Sequence, residues 1–231
     1  MAGRLYGVGV GPGDPELMTL KACRVIEECP VAAVPGRIPE DTAAYQIAAG
    51  AVPSIKEKEL LGIHMPMTKN KNELEESHRE AVRRIREQLD HGRDVAFLTL
   101  GDPTVYSTYL YVHEALKKAG YPTEIVSGIP SFCAAAARLQ TRIAEKAEQI
   151  HIIPASYQIQ DALNLPGTKI LMKAGRQYQK VKEMLAASDL EVKMVENCGM
   201  EEEHIYQGVE EMPKEAGYYT LIFVKERGEK A

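Results

Sequence analysis

The sequence predicts an α/β fold of two domains, and three observations carry that expectation. Through the first half, short apolar runs of strand length, from Leu5-Tyr6-Gly7-Val8 to Val95-Ala96-Phe97-Leu98, alternate with helical periods. This is the pattern of a mainly parallel sheet. The second half keeps the strands but separates them with less helix, as a mixed sheet does. Finally, three turns rich in glycine and proline each stand where a strand gives way to a helix: GPGDP at 11–15, GDP at 101–103 and SGIPS at 127–131. In a wound sheet such turns gather at the carboxyl edge, where ligands bind. The expected division is an N-terminal α/β domain over residues 1–119 and a C-terminal one over 120–231, jointed near Tyr121-Pro122. The cleft between them is the expected active site.

Taken in order, the first strand covers 5–10 and runs through the GPGDP loop into a helix with Leu20, Cys23 and Ile26 on one face. Asp14 or Thr19 is its cap. Val31-Ala32-Ala33-Val34 is a second strand, stopped by Pro35-Gly36. A helix over 41–51 and an aperiodic loop over 62–72 follow. A charged helix over 73–91 then places Leu74, His78, Val82, Ile85 and Leu89 on one face and ends at Gly92. The strand at 95–98 leads to the central turn. Gly101 breaks it, Asp102 is placed to cap a helix, and Pro103 suits the first helical position, where a missing N–H has no partner to lose. Val105, Tyr109, Val112 and Leu116 continue that helix to Ala119-Gly120. Later strands are expected at 123–126, 149–153, 169–172, 191–195 and 218–225, with helices at 132–139 and 177–187.

Composition narrows the function classes. A net charge of -5 gives no general attraction to nucleic acid. No apolar run has the length of a membrane span, and the chain starts without a signal-peptide pattern, so a soluble cytoplasmic protein is expected. Four scattered cysteines lack a C-x-x-C pair and the six histidines lack ligand spacing, so no metal site is expected. The dinucleotide fingerprint fails, because its last glycine falls on Pro12 or Asp14. The P-loop and G-x-S-x-G signatures are absent as well. Cys133, in an alanine-rich helix, reads as a packing residue, and Glu201-Glu202-Glu203 as a solvated charge run.

The opening VGVGPGDPELMTLKA, the central LTLGDPTVYSTY, then EIVSGIPSF, ILMKAG, VENCG and TLIFV occur in an order that resembles the tetrapyrrole (corrin and porphyrin) methylases nearly from end to end. The run HMPMTKNKNELEESHREAV ahead of the central turn is similar to the branch that methylates precorrin-2 at C-20, and Ser107-Thr108-Tyr109 to its cobalt-using, oxygen-independent members. The resemblance implies a two-domain fold and S-adenosylmethionine as methyl donor. It implies a tetrapyrrole substrate whose cobalt belongs to the substrate and not to the protein, and a homodimer. Donor contacts carry over to Pro12, Gly101, Asp102, Pro103, Val105, Ser131, Phe132, Met172, Cys198, Tyr219, Thr220 and Leu221. Tyr106 and Ser107 are the positioning candidates, and Arg37, Lys69, Tyr106 and Tyr109 the substrate-binding ones. No catalytic acid or base is assigned. Other readings stay open: another methyl acceptor, a binding module without turnover, or an anion-binding enzyme that uses helix N-termini.

Overall fold

A computed structural model describes residues 1–66, 68, 70–155 and 159–227. The chain forms two compact units, Met1–Ser131 and Phe132–Ala231.

The first unit runs β1 (Leu5–Gly9), α1 (Leu20–Glu28), β2 (Val31–Pro35), α2 (Ala43–Ala51), β3 (Glu59–Ile63), α3 (Lys71–Asp90), β4 (Val95–Thr99), α4 (Tyr109–Lys118) and β5 (Thr123–Val126). The strands lie in the order β3-β2-β4-β1-β5, and every neighbouring pair is parallel. One face buries Val8, Ala32, Val34, Ala96 and Leu98 against Ile26 of α1 and Ile47 of α2. The other buries Val31, Ala33, Val95 and Phe97 against Ile85 and Leu89 of α3 and Val112 and Leu116 of α4. Strands covered on both faces read as continuous apolar runs, which is how these sequences read. Of the two candidate caps, the Thr19 hydroxyl accepts the Ala22 N–H (3.1 Å) and starts α1. Asp14 accepts from Glu16 N–H (2.9 Å) and serves the short 3-10 turn at Pro15–Leu17.

Two expectations change. The stretch expected as loop opens with the end of β3, an edge strand whose glycine and charged start hid it. The segment expected to open the second domain is the fifth strand of the first sheet, paired from Leu5↔Thr123 to Val8↔Val126. A parallel neighbour requires a crossover, which α4 supplies. Gly120 (φ 89) therefore only ends that helix, and the division of the chain falls at Ser131, past residue 120.

The second unit contains α5 (Ser131–Arg138, entered from the boundary residue), β6 (Ile150–Pro154), α6 (Gln160–Leu163), β7 (Thr168–Met172), α7 (Tyr178–Ala186), β8 (Leu190–Glu196), β9 (His204–Tyr206) and β10 (Thr220–Glu226). Its sheet has the order β6-β7-β10-β8-β9, with β6 and β7 parallel and the other pairs antiparallel, so it is mixed as expected. Leu171, Met194, Ile222 and Val224 pack with Tyr178, Val181 and Leu185 of α7. No helix among the described residues is long and apolar enough to cross a membrane.

Candidate functional site

Because the first sheet is parallel, the carboxyl ends of its five strands share one edge, and the three glycine turns lie there. Val10 N–H donates to Thr99 O (2.9 Å), while Gly101 N–H donates to Gly11 O (2.7 Å) and Gly11 N–H returns to Gly101 O (3.3 Å). The third turn presses onto both. A Cβ on Gly128 would stand 2.2 Å from Gly101 O, and one on Gly9 2.5 Å from Gly128 N. Glycine is required at 9 and 128 by backbone approach. Gly101 itself differs. In the left-handed region (φ 69), its missing side chain faces space in which the nearest atoms are Ser131 N at 3.7 Å and Ile129 O at 3.8 Å. An amide and a carbonyl thus stand at ordinary contact distance from the place a side chain would fill.

Asp102 does not cap a helix at Pro103. Its Oδ1 accepts from Thr104 N–H (2.8 Å) and the Thr104 hydroxyl (2.5 Å), and its Oδ2 accepts from Gly128 N–H (3.0 Å), so the buried carboxylate ties two turns together. Residues 102–105 form a turn closed by Val105 N–H to Asp102 O (3.1 Å). Tyr106 then adopts a left-handed conformation (φ 50), which stops any helix from running on from Pro103. Such a conformation costs about 1–3 kcal/mol in a bulky residue and gathers at functional sites. The helix restarts at Tyr109, whose N–H is accepted by Ser107 Oγ (3.1 Å).

The candidates from the sequence sort by place. Pro12, Gly101, Asp102 and Pro103 are buried in the joined turns, Val105 and Ser131 are half-buried beside them, and Tyr106 is 47% exposed. Tyr109, expected at the substrate, is fully buried, stacks at a tilt on Phe97 (5.3 Å) and fills the space over Gly7, so the structure places it in the core and not on an open surface. Its hydroxyl is engaged by His113 Nδ1 (2.9 Å) and Glu124 O (3.3 Å). Cys133 is exposed, because the buried part of α5 is Ala134, Ala135 and Ala136. Arg37 follows β2, exposed, and its Nε donates to His64 Nδ1 (3.4 Å) just past β3. His64 escaped the sequence reading because β3 did. Its signal is the first polar residue after ELLGI. Gly62 makes room for this pair, since a Cβ there would lie 2.5 Å from Arg37 O. Lys69 lies outside the described residues.

In the second unit, one end of the sheet collects the remaining candidates. Leu221 pairs with Met172, Thr220 with Glu196, and Asn197 N–H donates to Tyr219 O (2.9 Å) beside Cys198. Lys173 (φ 56) and Asn197 (φ 50) turn the chain at the ends of β7 and β8. The Thr220 hydroxyl donates to Gly217 O (2.8 Å), and Glu196 accepts from Gly217 N–H (2.7 Å) and the Tyr206 hydroxyl (3.0 Å). Burial, helped by the nearby Glu203 carboxylate, pushes the Cys198 thiol up to about 11, so it stays protonated and is no nucleophile. Glu203 itself is held below the usual carboxylate range by its hydrogen bond from Arg138. Phe132 is half-buried in the first turn of α5. Among the described residues, no group of three or more His, Cys, Asp or Glu is placed to hold a metal ion.

Comparison with known proteins adds to this geometry. Residues 4–213 match the family model of tetrapyrrole (corrin/porphyrin) methylases. The chain is 34% identical over 206 residues to the probable cobalt-precorrin-2 C(20)-methyltransferase of Methanocaldococcus jannaschii, covering 89% of this chain and 87% of that one. It is 30% identical over 196 residues to the cobalt-precorrin-2 C(20)-methyltransferase of Salmonella typhimurium, covering 82% and 81%. To the precorrin-2 C(20)-methyltransferase of a Sinorhizobium species it is 27% identical over 236 residues, covering 96% and 95%. Among solved structures it is similar to uroporphyrin-III C-methyltransferase from Thermus thermophilus complexed with S-adenosylhomocysteine. That likeness has a TM-score of 0.73 at 23% identity and covers 97% of this chain and 98% of the other.

Proposed function

The chain belongs to the tetrapyrrole (corrin/porphyrin) methylases, as an S-adenosylmethionine-dependent methyltransferase, and on that premise we propose that it methylates cobalt-precorrin-2 at C-20 to give cobalt-precorrin-3. The reading places this step on the anaerobic route to cobalamin, in the cytoplasm, in a homodimer. Relatives named for this substrate and position, aligned over more than four-fifths of both chains, are the observation that carries it.

The residues act by placing and not by acid–base chemistry. Bound at the edge, the donor supplies an already activated sulfonium methyl. Gly101 brings its backbone to that edge without a side chain, Asp102 holds its turn against Gly128, and Ser131 N–H and Ile129 O stand beside the place a side chain would fill. On the second unit the reading assigns donor contacts to Met172, Cys198, Tyr219, Thr220 and Leu221, with Phe132 at the start of α5. The Met172 carbonyl already accepts Ala155 N–H (2.7 Å), so a contact there falls to its other atoms or its second lone pair. Tyr106 offers an exposed ring to the macrocycle, Ser107 fixes the start of α4, and Arg37 with His64 (and Lys69 in the reading from sequence) meets substrate carboxylates. Alignment of this kind lowers a barrier by roughly 7–11 kcal/mol in favourable cases.

The deciding experiment incubates the protein with methyl-labelled donor and either cobalt-precorrin-2 or metal-free precorrin-2, then assigns the labelled carbon by NMR. Label at C-20 of the cobalt complex is expected. Label at another carbon, or turnover of the metal-free compound alone, overturns the proposed substrate or position.

A further inference from the structure

Thr99 ends β4, the central strand of the first sheet. It is 7% exposed, and its Oγ1 is the one buried side-chain polar atom among the described residues without a hydrogen-bond partner. Leaving a buried hydroxyl unpaired is unfavourable, and native proteins keep few such groups. Folding does not ask for it here. Valine has nearly the same shape and suits strands, and the alternation of β4 puts residue 99 on the apolar face of Val95 and Phe97.

The surroundings say where a partner for that hydroxyl comes from. On its β1 side, β4 is closed by the bonds between Val10 and Thr99 and between Gly11 and Gly101. On its β2 side, pairing stops at Ala33↔Phe97, although β2 continues to Pro35 and β4 to Thr99. There β2 stays with β3, through Val34↔Gly62 and Pro35↔Ile63. The helices that follow depart to opposite faces, α2 joining α1 and α4 joining α3. Neighbouring strands that part at their carboxyl ends, with connections leaving to opposite faces, form the crevice in which open α/β sheets take ligands. Thr99 borders this crevice from β4, and Arg37 and His64 follow β2 and β3 on the same edge.

We propose that Thr99 is a substrate-contacting residue whose hydroxyl hydrogen-bonds a polar group of the tetrapyrrole, a ring N–H or a carboxylate, that enters between β2 and β4. This rests on the function proposed above and names a residue of the same site. The methyl donor is the wrong occupant for this side, because the proposed function assigns it to the Gly101 turn, which is joined to the turns after β1 and β5.

The test compares the full-length wild type with Thr99→Val, Thr99→Ala and Thr99→Ser. Stability is read by urea unfolding, donor affinity by calorimetry with S-adenosylmethionine, and tetrapyrrole affinity by absorbance titration and KM with precorrin-2 and its cobalt complex. Thr99→Val is expected to be at least as stable as wild type, to bind the donor equally well, and to raise the tetrapyrrole KM about three- to tenfold, the worth of one hydrogen bond. Thr99→Ser restores KM, and Thr99→Ala repeats the loss should valine perturb packing. An unchanged KM in both Thr99→Val and Thr99→Ala overturns the proposal while leaving wild-type turnover intact. Weakened donor affinity with unchanged tetrapyrrole affinity overturns the assignment of the ligand. A wild type that neither binds nor methylates either tetrapyrrole overturns the proposed function, and the substrate contact with it.

Discussion

The central strand β4 is held in opposite ways on its two sides. Toward β1 the backbone is joined past the end of the strand, glycine against glycine, with Asp102 bonded across to Gly128. Toward β2 the pairing stops two residues short, and a hydroxyl is left unpaired at the end. The first side is built for rigidity and the second for access. A methyl transfer that works by alignment needs both: a fixed seat for one reactant and an opening for the other. The difference also predicts where substitutions harm folding and where they harm only binding.

The largest effect is expected from breaking the closed side. Gly128→Ala brings a Cβ to 2.2 Å from Gly101 O and 2.8 Å from the Gly9 carbonyl carbon, both backbone atoms that cannot swing aside. Overpacking of this kind costs typically 1–3 kcal/mol, and with backbone on every side about 3 kcal/mol or more is expected, measured by urea unfolding. Donor binding should vanish with it. Gly120→Ala is the control, since nothing lies within 4 Å of its Cβ and only the left-handed φ of 89 resists, a cost of about 1 kcal/mol. Equal losses in the two variants would show that the glycine contact is not what holds the turns.

Asp102 tests the same side more gently. Replacing it by Ala leaves the partly buried Thr104 and Gly128 amides without their acceptor, for an expected loss of about 1–2 kcal/mol. Asp102→Asn sharpens the point. It keeps one oxygen, yet it must turn either an amide donor toward Gly128 N–H or that same donor toward Thr104. Its loss should approach that of Ala, with donor affinity by calorimetry falling alongside stability. An Asn variant as stable as wild type would mean that the negative charge and both acceptors are dispensable.

How much of this was legible in the sequence follows from the range of each interaction. The glycine turns were legible because a glycine between an apolar run and a helical period is a local signal. The bond from Asp102 to Gly128 joins residues 26 apart, and no local pattern announces it, so Asp102 read as a cap for the nearest helix. Arg37 was found as a loop cation, but its partner His64 sits 27 residues on, behind an edge strand too short and too broken by Gly62 to stand out. The joint between domains was placed at Tyr121-Pro122 because that dipeptide looks like a linker. The pairing of β5 with β1 that overrules it is a contact across more than a hundred residues. Tyr109 is the instructive case. The helical period already set it with Val112 and Leu116 on a buried face, and the wording of a motif drew it toward the substrate instead.

Tyr109 supplies the smallest effect and the finest test of which side of β4 does what. Its ring takes the place of the side chain that Gly7 of β1 lacks, and its hydroxyl is spent on His113 and the Glu124 carbonyl. Burial pushes the phenol up and the imidazole of His113 down, the latter aided by Lys117, so the pair is neutral in the folded protein. Burial lowers His78 as well. In the unfolded chain these histidines take up protons near pH 6.5, before the folded ones do. Their contribution to stability is therefore complete above that pH and declines as the pH falls toward the lower folded values. Tyr109→Phe should lose about 1 kcal/mol in urea unfolding at pH 7.5 and leave the tetrapyrrole KM and the donor affinity as they were. His113→Gln should flatten the fall in stability just below pH 6.5, with the remaining slope left to His78 and, lower still, to the depressed carboxyls of Glu124 and Glu203. A Tyr109→Phe protein with unchanged stability and a raised KM would put that hydroxyl in the substrate's path and move the opening to the β1 side of β4.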